Sequence, residues 1–230
     1  MARIARVVAV GLPHHITQRG NYKQPVFRNS YDRRIYLSWI EEYSEKYSLK
    51  ILAFCLMINH VHFIAIPETE NALAKVFNTT HMRYSQYFNK TNNLMGHLWQ
   101  GRFYSCILDE PHFIASVRYV ERNPVRAKLV NNPWEWTWSS ASFHINQKKE
   151  SLIKLHKFSE VINMTDDYWR EYISSEDNSR TIDNIRKHSL TGRPLGNEIF
   201  IKKLEKENGK RLQALPRGRP LLNRDSDHLL

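Results

Sequence analysis

ILAFCLMINHVHFIAI, residues 51–66, decides the fold. Its two apolar runs, residues 51–57 and 61–66, are too dense to face water on either side. They predict neighbouring strands of a covered sheet, or one long bent strand, separated by Ile58-Asn59-His60. In an extended strand residues two apart share a face, so His60 and His62 converge on one side while Val61 packs on the other. Neutral imidazole is a ligand for several divalent metals, and two on one stiff strand need only one or two more donors from elsewhere. The chain has eleven histidines, so the spacing alone is a weak signal. The surrounding apolar runs strengthen it, because imidazoles inside a covered sheet need partners.

Outward from this stretch, strand-like and helix-like segments alternate. Residues 6–18 are β-branched with a Gly-Leu-Pro break and are followed by Arg19-Gly20-Asn21, which reads as strand then turn. Residues 31–47 repeat apolar side chains at helical spacing, with Asp32 near the start, and residues 71–89 do the same. Residues 96–108 read as a strand. Residues 111–122 read as a short helix with Asp109 as N-cap and Pro111 in its first turn. The expectation is an α+β domain around one antiparallel or mixed sheet, with helices packed on it. Beyond Gln147 the chain becomes polar and helix-like, and from Thr191 basic and Pro/Gly-punctuated. A boundary near residues 145–150 divides residues 1–147 from a helical and basic extension, residues 148–230.

The charge is unevenly placed. The 230 residues carry 34 Lys+Arg and 23 Asp+Glu, a net +11. Residues 1–34 account for +6 and residues 180–220 for +7, which leaves 11 − 13 = −2 for the rest. Two basic arms on a near-neutral body suit a polyanionic partner. Hydrophobic residues make up 41% of the chain, so a disordered chain is excluded and a core is expected. No apolar run approaches the ~18 residues of a membrane span, and Pro13 with the histidine pair interrupts any signal-peptide pattern, so a soluble, cytoplasmic protein is expected. Cys55 and Cys106 lack metal or disulfide spacing.

The segment SVRYVERNP adds the second chemical feature. At ~100° per residue, Phe113, Ile114, Val117 and Val120 form one stripe, and Tyr119 lies roughly 150° from its centre. Asn123 follows one turn above Tyr119, so a phenol and a carboxamide share a face. Pro124 disfavours helix at Asn123, which predicts a frayed last turn. A surface tyrosine followed by a helix stop would give the same spacing. Two histidines on a strand with a phenol and an amide one turn apart is the combination a phosphotyrosine endonuclease requires. A phenol of ordinary pKa ~10 attacks a phosphate at neutral pH only when a metal has offset the phosphate charge. No GxxxxGK[ST] loop occurs, consistent with chemistry that needs no ATP.

In HHITQRGNYKQPVF, HVHF, HLWQGRF, RYVERNPVRAKLV and WTWSSASFH, in that order and spacing, the chain resembles the REP-associated tyrosine transposases of the HUH single-strand transposase family. The resemblance covers residues 3–145 and extends loosely into TGRPLGNEIFIKKLE. It implies a ferredoxin-like HUH endonuclease core. It also implies cleavage and rejoining of single-stranded DNA at hairpin-forming repeats in bacterial genomes, with a 5′-phosphotyrosine, a free 3′-OH and Mg²⁺ or Mn²⁺. Residue by residue, His60 and His62 match the metal-binding histidines, Tyr119 the nucleophile and Asn123 the third ligand. The family usually has Pro before the Asn or Asp that precedes the histidines. Here that position is Ile58, which predicts a looser turn.

Among the other tyrosines, Tyr36, Tyr43, Tyr47, Tyr84 and Tyr87 fall on or beside apolar stripes, Tyr168 and Tyr172 lie beyond the boundary, and Tyr104 is the one rival nucleophile. Arg19 and Arg102 are candidate DNA contacts, with Arg102 equally able to pair with Asp109 or Glu110. Trp134, Trp136 and Trp138 alternate, as base-stacking platforms or sheet-packing aromatics do. In the basic arm Gly-Arg-Pro-Leu occurs at residues 192–195 and 218–221, which makes Arg193, Arg217 and Arg219 candidates for minor-groove contact or parts of a linker. Residues 199–212 form a candidate amphipathic helix. A non-catalytic hairpin-binding regulator is the alternative function, and a hydrolase of small phosphates sits badly with two basic arms. The sequence is compatible with either a monomer or a homodimer as the active unit.

Overall fold

The computed structural model describes residues 6–156 and 165–214. Within them, strands β1 (His14–Arg19), β2 (Leu49–Leu56), β3 (His60–Pro67) and β4 (Tyr104–Ile107) make one antiparallel sheet in the order β2-β3-β1-β4. Helices α1 (Ser30–Lys46) and α2 (Ala72–Asn92) make the crossovers. The resulting β1–α1–β2–β3–α2–β4 is the ferredoxin-like arrangement. Residues 51–66 are therefore two strands joined by a tight turn. Ile58 does not loosen it: Met57 N–H donates to the His60 carbonyl at 2.9 Å, and the Ile58 and Asn59 carbonyls accept from Val26 and Gly20. Gly20 has no room for a side chain there, since a Cβ would meet the Gln24 carbonyl oxygen at 2.5 Å.

Period two divides each strand between two cores. Ile16, Phe54, Val61 and Phe63 face α1 and α2, where they pack with Tyr36, Ile40, Phe77 and Tyr84. Asp32 closes α1 with a capping box, accepting from Asn29 N–H while its own N–H donates to Asn29 Oδ1. Cys55, Ile64 and Cys106 face the other way, against α3 (Glu110–Glu121), whose Asp109 N-cap accepts from His112 N–H at 3.1 Å. The chain continues through α4 (Asn123–Arg126), α5 (Ala141–His144), α6 (Asp166–Ser174), α7 (Ser179–Thr191) and α8 (Glu198–Asn208). Trp169 of α6 and Ile185 of α7 join the core beneath α3, and Leu204 of α8 packs with Val7 and Ile107. A buried carboxylate fixes this side. Glu121 accepts from Ser140 Oγ at 2.6 Å, His144 Nδ1 at 2.5 Å and Trp169 Nε1 at 3.0 Å.

Several sequence expectations change. The first and last strands are shorter than residues 6–18 and 96–108. Gly11 and Pro13 interrupt the former, and Gly96 (φ +93°) and Gly101 (φ +151°) turn the latter into a loop before Tyr104. The three indoles do not line one row, because Pro133–Glu135 is a 3₁₀ turn and breaks the alternation. Trp134 and Trp136 pack with the α3 core and Trp138 with the α1–α2 core. Both sheet edges are covered. Residues 138–140 pair with β2 through Leu56 N–H to the Trp138 carbonyl and Ser140 N–H to the Phe54 carbonyl, and Leu195 exchanges bonds with Ile107 and Asp109 beside β4. Among the described residues no helix is long and apolar enough to cross a membrane.

Candidate active site

The α3 side of the sheet holds a pocket of about 560 Å³. Antiparallel register builds its floor: Thr17 pairs with His62 and Arg19 with His60, so the odd residues of β1 share a face with the even residues of β3. His60 is half-buried and His62 is 5% exposed, with their rings 5.0 Å apart. Each ring has one nitrogen occupied. His60 Nδ1 lies 2.7 Å from Asn59 Oδ1, and His62 Nδ1 lies 2.9 Å from Nε2 of His15. Burial holds His60 and His15 down to about 3, with Arg19 adding to the effect at His60. His62 falls well below the usual range through burial, then through the neighbouring His60 and His15. The rings are therefore neutral at physiological pH, the form that ligates metal.

Tyr119 enters from α3. Its ring stands edge-on to His62 at 5.7 Å and to His15 at 5.8 Å, with the Arg126 guanidinium 4.3 Å above its face. The phenol lies off the apolar stripe, as its angle predicts, yet it is 8% exposed, because the extension covers that side of α3. Asn123 is not a frayed helix stop. The chain turns once at Arg122 and resumes as α4, with Pro124 in the first turn where its missing N–H costs nothing. Asn123 Nδ2 donates to the Tyr119 and Val120 carbonyls at 3.1 and 3.3 Å, which leaves Oδ1 as the amide's available acceptor. His60, His62, Tyr119 and Asn123 thus line one pocket of a single chain.

Three arginines reach the same pocket: Arg19 from the first basic arm, Arg186 from the second and Arg126 from α4. Arg126 also donates to the Tyr119 carbonyl, and with Arg118 and Arg122 it shares the carboxylate of Asp177. The predicted donors for a divalent cation are two imidazoles and an amide oxygen, and the Gln100 carboxamide lines the same pocket. Among the described residues no group of three or more His, Cys, Asp or Glu is arranged to hold a metal. This neutral set, facing arginines, fits a cation that shares its coordination with a bound phosphate.

The other predicted contacts are not brought together. Arg102 lines a separate groove beside α2 with His81 and Trp99, while Asp109 accepts from His112 and Asn197. Arg193 donates to the Leu212 carbonyl at 2.5 Å. Arg217 and Arg219 lie outside the described residues. Tyr104 does line the pocket, on β4 opposite Thr17. Missed in the sequence were His15, Arg126, Arg186 and Ser189. For His15 the signal was present: His15, Thr17 and Arg19 make one polar face of a strand whose opposite face carries Ile16.

Residues 9–123, which include both strand histidines, Tyr119 and Asn123, match the family model described as transposase, IS200-like. The chain belongs to the IS200-like transposase family. Its fold is also that of a solved relative described as a REP-associated tyrosine transposase bound to a REP hairpin, at 18% identity and a TM-score of 0.52, covering 68% of this chain and 93% of that one. A putative transposase from Deinococcus radiodurans is similar at 15% identity and a TM-score of 0.37, covering 53% and 97%. No protein of curated function matches the chain. The family match ends at Asn123, so Arg126 and helix α7 line this IS200-like pocket from outside the matched residues.

Proposed function

We propose that this IS200-like transposase cleaves and rejoins single-stranded DNA at hairpin-forming repeats, through a 5′-phosphotyrosine on Tyr119. The observation that carries the reading is the Tyr119 ring 5.7 Å from His62, under the Arg126 guanidinium, in a pocket that Arg19 and Arg186 also line. Attack by the phenolic oxygen forms a Tyr–O–P bond as the bond from phosphorus to the 3′ oxygen breaks. The phenol loses its proton and the departing 3′ oxygen gains one. The new phosphodiester keeps the energy of the old one, so an incoming 3′-OH reverses the step and rejoins DNA without ATP.

Arg126, over the Tyr119 ring, would stabilise charge developing on the phenol oxygen, and Arg19 and Arg186, lining the same pocket, would bind the phosphates on either side. His60, His62 and Asn123 would hold Mg²⁺ or Mn²⁺, which when bound neutralises phosphate charge as a Lewis acid. All three donors are neutral, so cation affinity depends on the DNA phosphate as a further ligand. The hairpin as substrate is motivated by the REP hairpin in the solved relative. In this reading residues 1–147 form the catalytic domain, residues 148–230 an extension that completes its pocket with Arg186, and the protein acts in the bacterial cytoplasm. One chain supplies every group named, which supports a monomeric active unit.

The test is a labelled single-stranded hairpin oligonucleotide with Mn²⁺, resolved on a denaturing gel. The expected result is a covalent protein–DNA adduct that disappears in Tyr119→Phe and falls sharply in His60→Ala. An adduct persisting in Tyr119→Phe would refute the nucleophile, and undiminished cleavage by His60→Ala with chelator would refute the metal role. Tight hairpin binding without any adduct from the wild type would mark a non-catalytic regulator instead.

A further inference from the structure

A hydrogen-bonded chain connects helix α7 to β3. Ser189 Oγ lies 2.6 Å from the Ile185 carbonyl oxygen one turn earlier, His15 Nδ1 lies 2.7 Å from Ser189 Oγ, and His15 Nε2 lies 2.9 Å from His62 Nδ1. Ser189, His15 and His62 are 6%, 1% and 5% exposed, so bulk water offers these atoms no alternative partner.

Counting hydrogens fixes the direction of the chain. Two oxygens 2.6 Å apart repel unless a proton lies between them, and a carbonyl has none to give. The single Ser189 hydrogen therefore points to Ile185. Ser189 Oγ then presents only lone pairs to His15, so His15 Nδ1–H donates to it. A neutral imidazole carries one N–H, which makes His15 Nε2 an acceptor and His62 Nδ1–H its donor. His62 is left with its lone pair on Nε2. Were the serine hydrogen turned to His15 instead, every bond would reverse and His62 Nε2 would carry a proton, which blocks it as a ligand.

We infer that Ser189 and His15 are positioning residues that hold His62 in the Nδ1–H tautomer, the form whose Nε2 can bind a divalent cation; the inference rests on the metal reading above. His60 reaches the same tautomer by a local route. Asn59 Nδ2 donates to the Lys23 carbonyl at 3.0 Å, which turns Oδ1 toward His60 and makes His60 Nδ1–H the donor. One ligand is thus set by its sequence neighbour, and the other by a serine 127 residues downstream, in a helix beyond the family-matched residues 9–123.

The test has two readouts on the full chain. The first is the imidazole nitrogen shifts of His62 in long-range ¹H–¹⁵N spectra of metal-free protein. The wild type is expected to show protonated Nδ1 and bare Nε2. Ser189→Ala frees His15 to reverse, so the His62 Nε2 shift moves toward the protonated value. A purely structural serine would change thermal stability and leave these shifts in place. The second is Mn²⁺ affinity by electron paramagnetic resonance, with a hairpin oligonucleotide bound to Tyr119→Phe so that no cleavage intervenes. Adding Ser189→Ala is expected to weaken Mn²⁺ binding about 10-fold or more. A protonated Nε2 in the wild type, or shifts unchanged in Ser189→Ala, would overturn the inference. If the tautomer responds as expected but no form binds Mn²⁺, the relay stands and the metal reading falls. If Mn²⁺ binds equally with and without Ser189 and the shifts do not move, the relay falls and the metal reading stands.

Discussion

The two faces of the sheet are made by the same strands and have opposite characters. Toward α1 and α2 lie Ile16, Phe54, Val61 and Phe63 with a cluster of tyrosines, tryptophans and phenylalanines. Toward α3 the alternate residues include His15, Thr17, Arg19, His60 and His62, around a pocket. Alternation lets one strand carry two texts, one that stabilises the fold and one that performs chemistry, so a change in either can be read separately. The faces also differ in how they are closed. The first is closed by the crossover helices of the fold itself, the second by α3 together with α6 and α7 of the extension.

Substitutions on each face separate the two roles directly. Tyr119→Phe, on the chemical face, is expected to lower adduct formation at least about 1,000-fold while changing stability by less than about 1 kcal/mol. Phe63→Ala, on the opposite face and fully buried, should do the reverse. A loss of about 3–5 kcal/mol in denaturant unfolding is expected, with cleavage per folded molecule retained. If Phe63→Ala abolished cleavage at temperatures where the protein is still folded, the faces would not be separable. Glu121→Ala probes the closure of the second face. It removes the carboxylate that accepts from His144, Ser140 and Trp169 of α6, so unfolding should cost about 3 kcal/mol less, and amide exchange in α6 should rise before that in α2.

A smaller, graded effect comes from acid. His14 is held to about 4 and His15, His60 and His81 to about 3, against 6.5 in an unfolded chain, each chiefly by burial. Between those values the unfolded chain binds protons the folded one refuses, so stability is full above pH 6.5 and declines as pH falls toward about 3. A Tm that stays flat from pH 7.5 to 6.5 and drops steadily below is expected. A Tm rising on acidification over that range would contradict the buried neutral imidazoles.

Much of this was legible in the sequence, for physical reasons that also mark where reading stops. The sheet and three helices followed from local periodicity. Asp109 and Pro111 gave α3 its start, and the angular offset of Tyr119 separated it from the apolar stripe. His60 and His62 needed only the pleat. Nothing local connects His15 to His62 or Ser189 to His15, because those contacts depend on register between β1 and β3 and on where α7 docks. The same limit hid Arg126 and Arg186, which reach the pocket from different segments. Asn123 was misread as frayed because Pro124 forbids continuation of α3 but permits a new first turn, and a sequence does not distinguish the two. The two basic arms were visible as totals. Arg19 and Arg186 bring part of each into the pocket, while Arg193 is turned to the backbone at Leu212.

The position of the covalent bond identifies the nucleophile directly. The wild-type protein would be trapped on a hairpin oligonucleotide with Mn²⁺, digested with protease and nuclease, and sequenced by tandem mass spectrometry. A nucleotide phosphate is expected on Tyr119, in the peptide that also contains Val120. The same modification on Tyr104, the other phenol in the pocket, would contradict it.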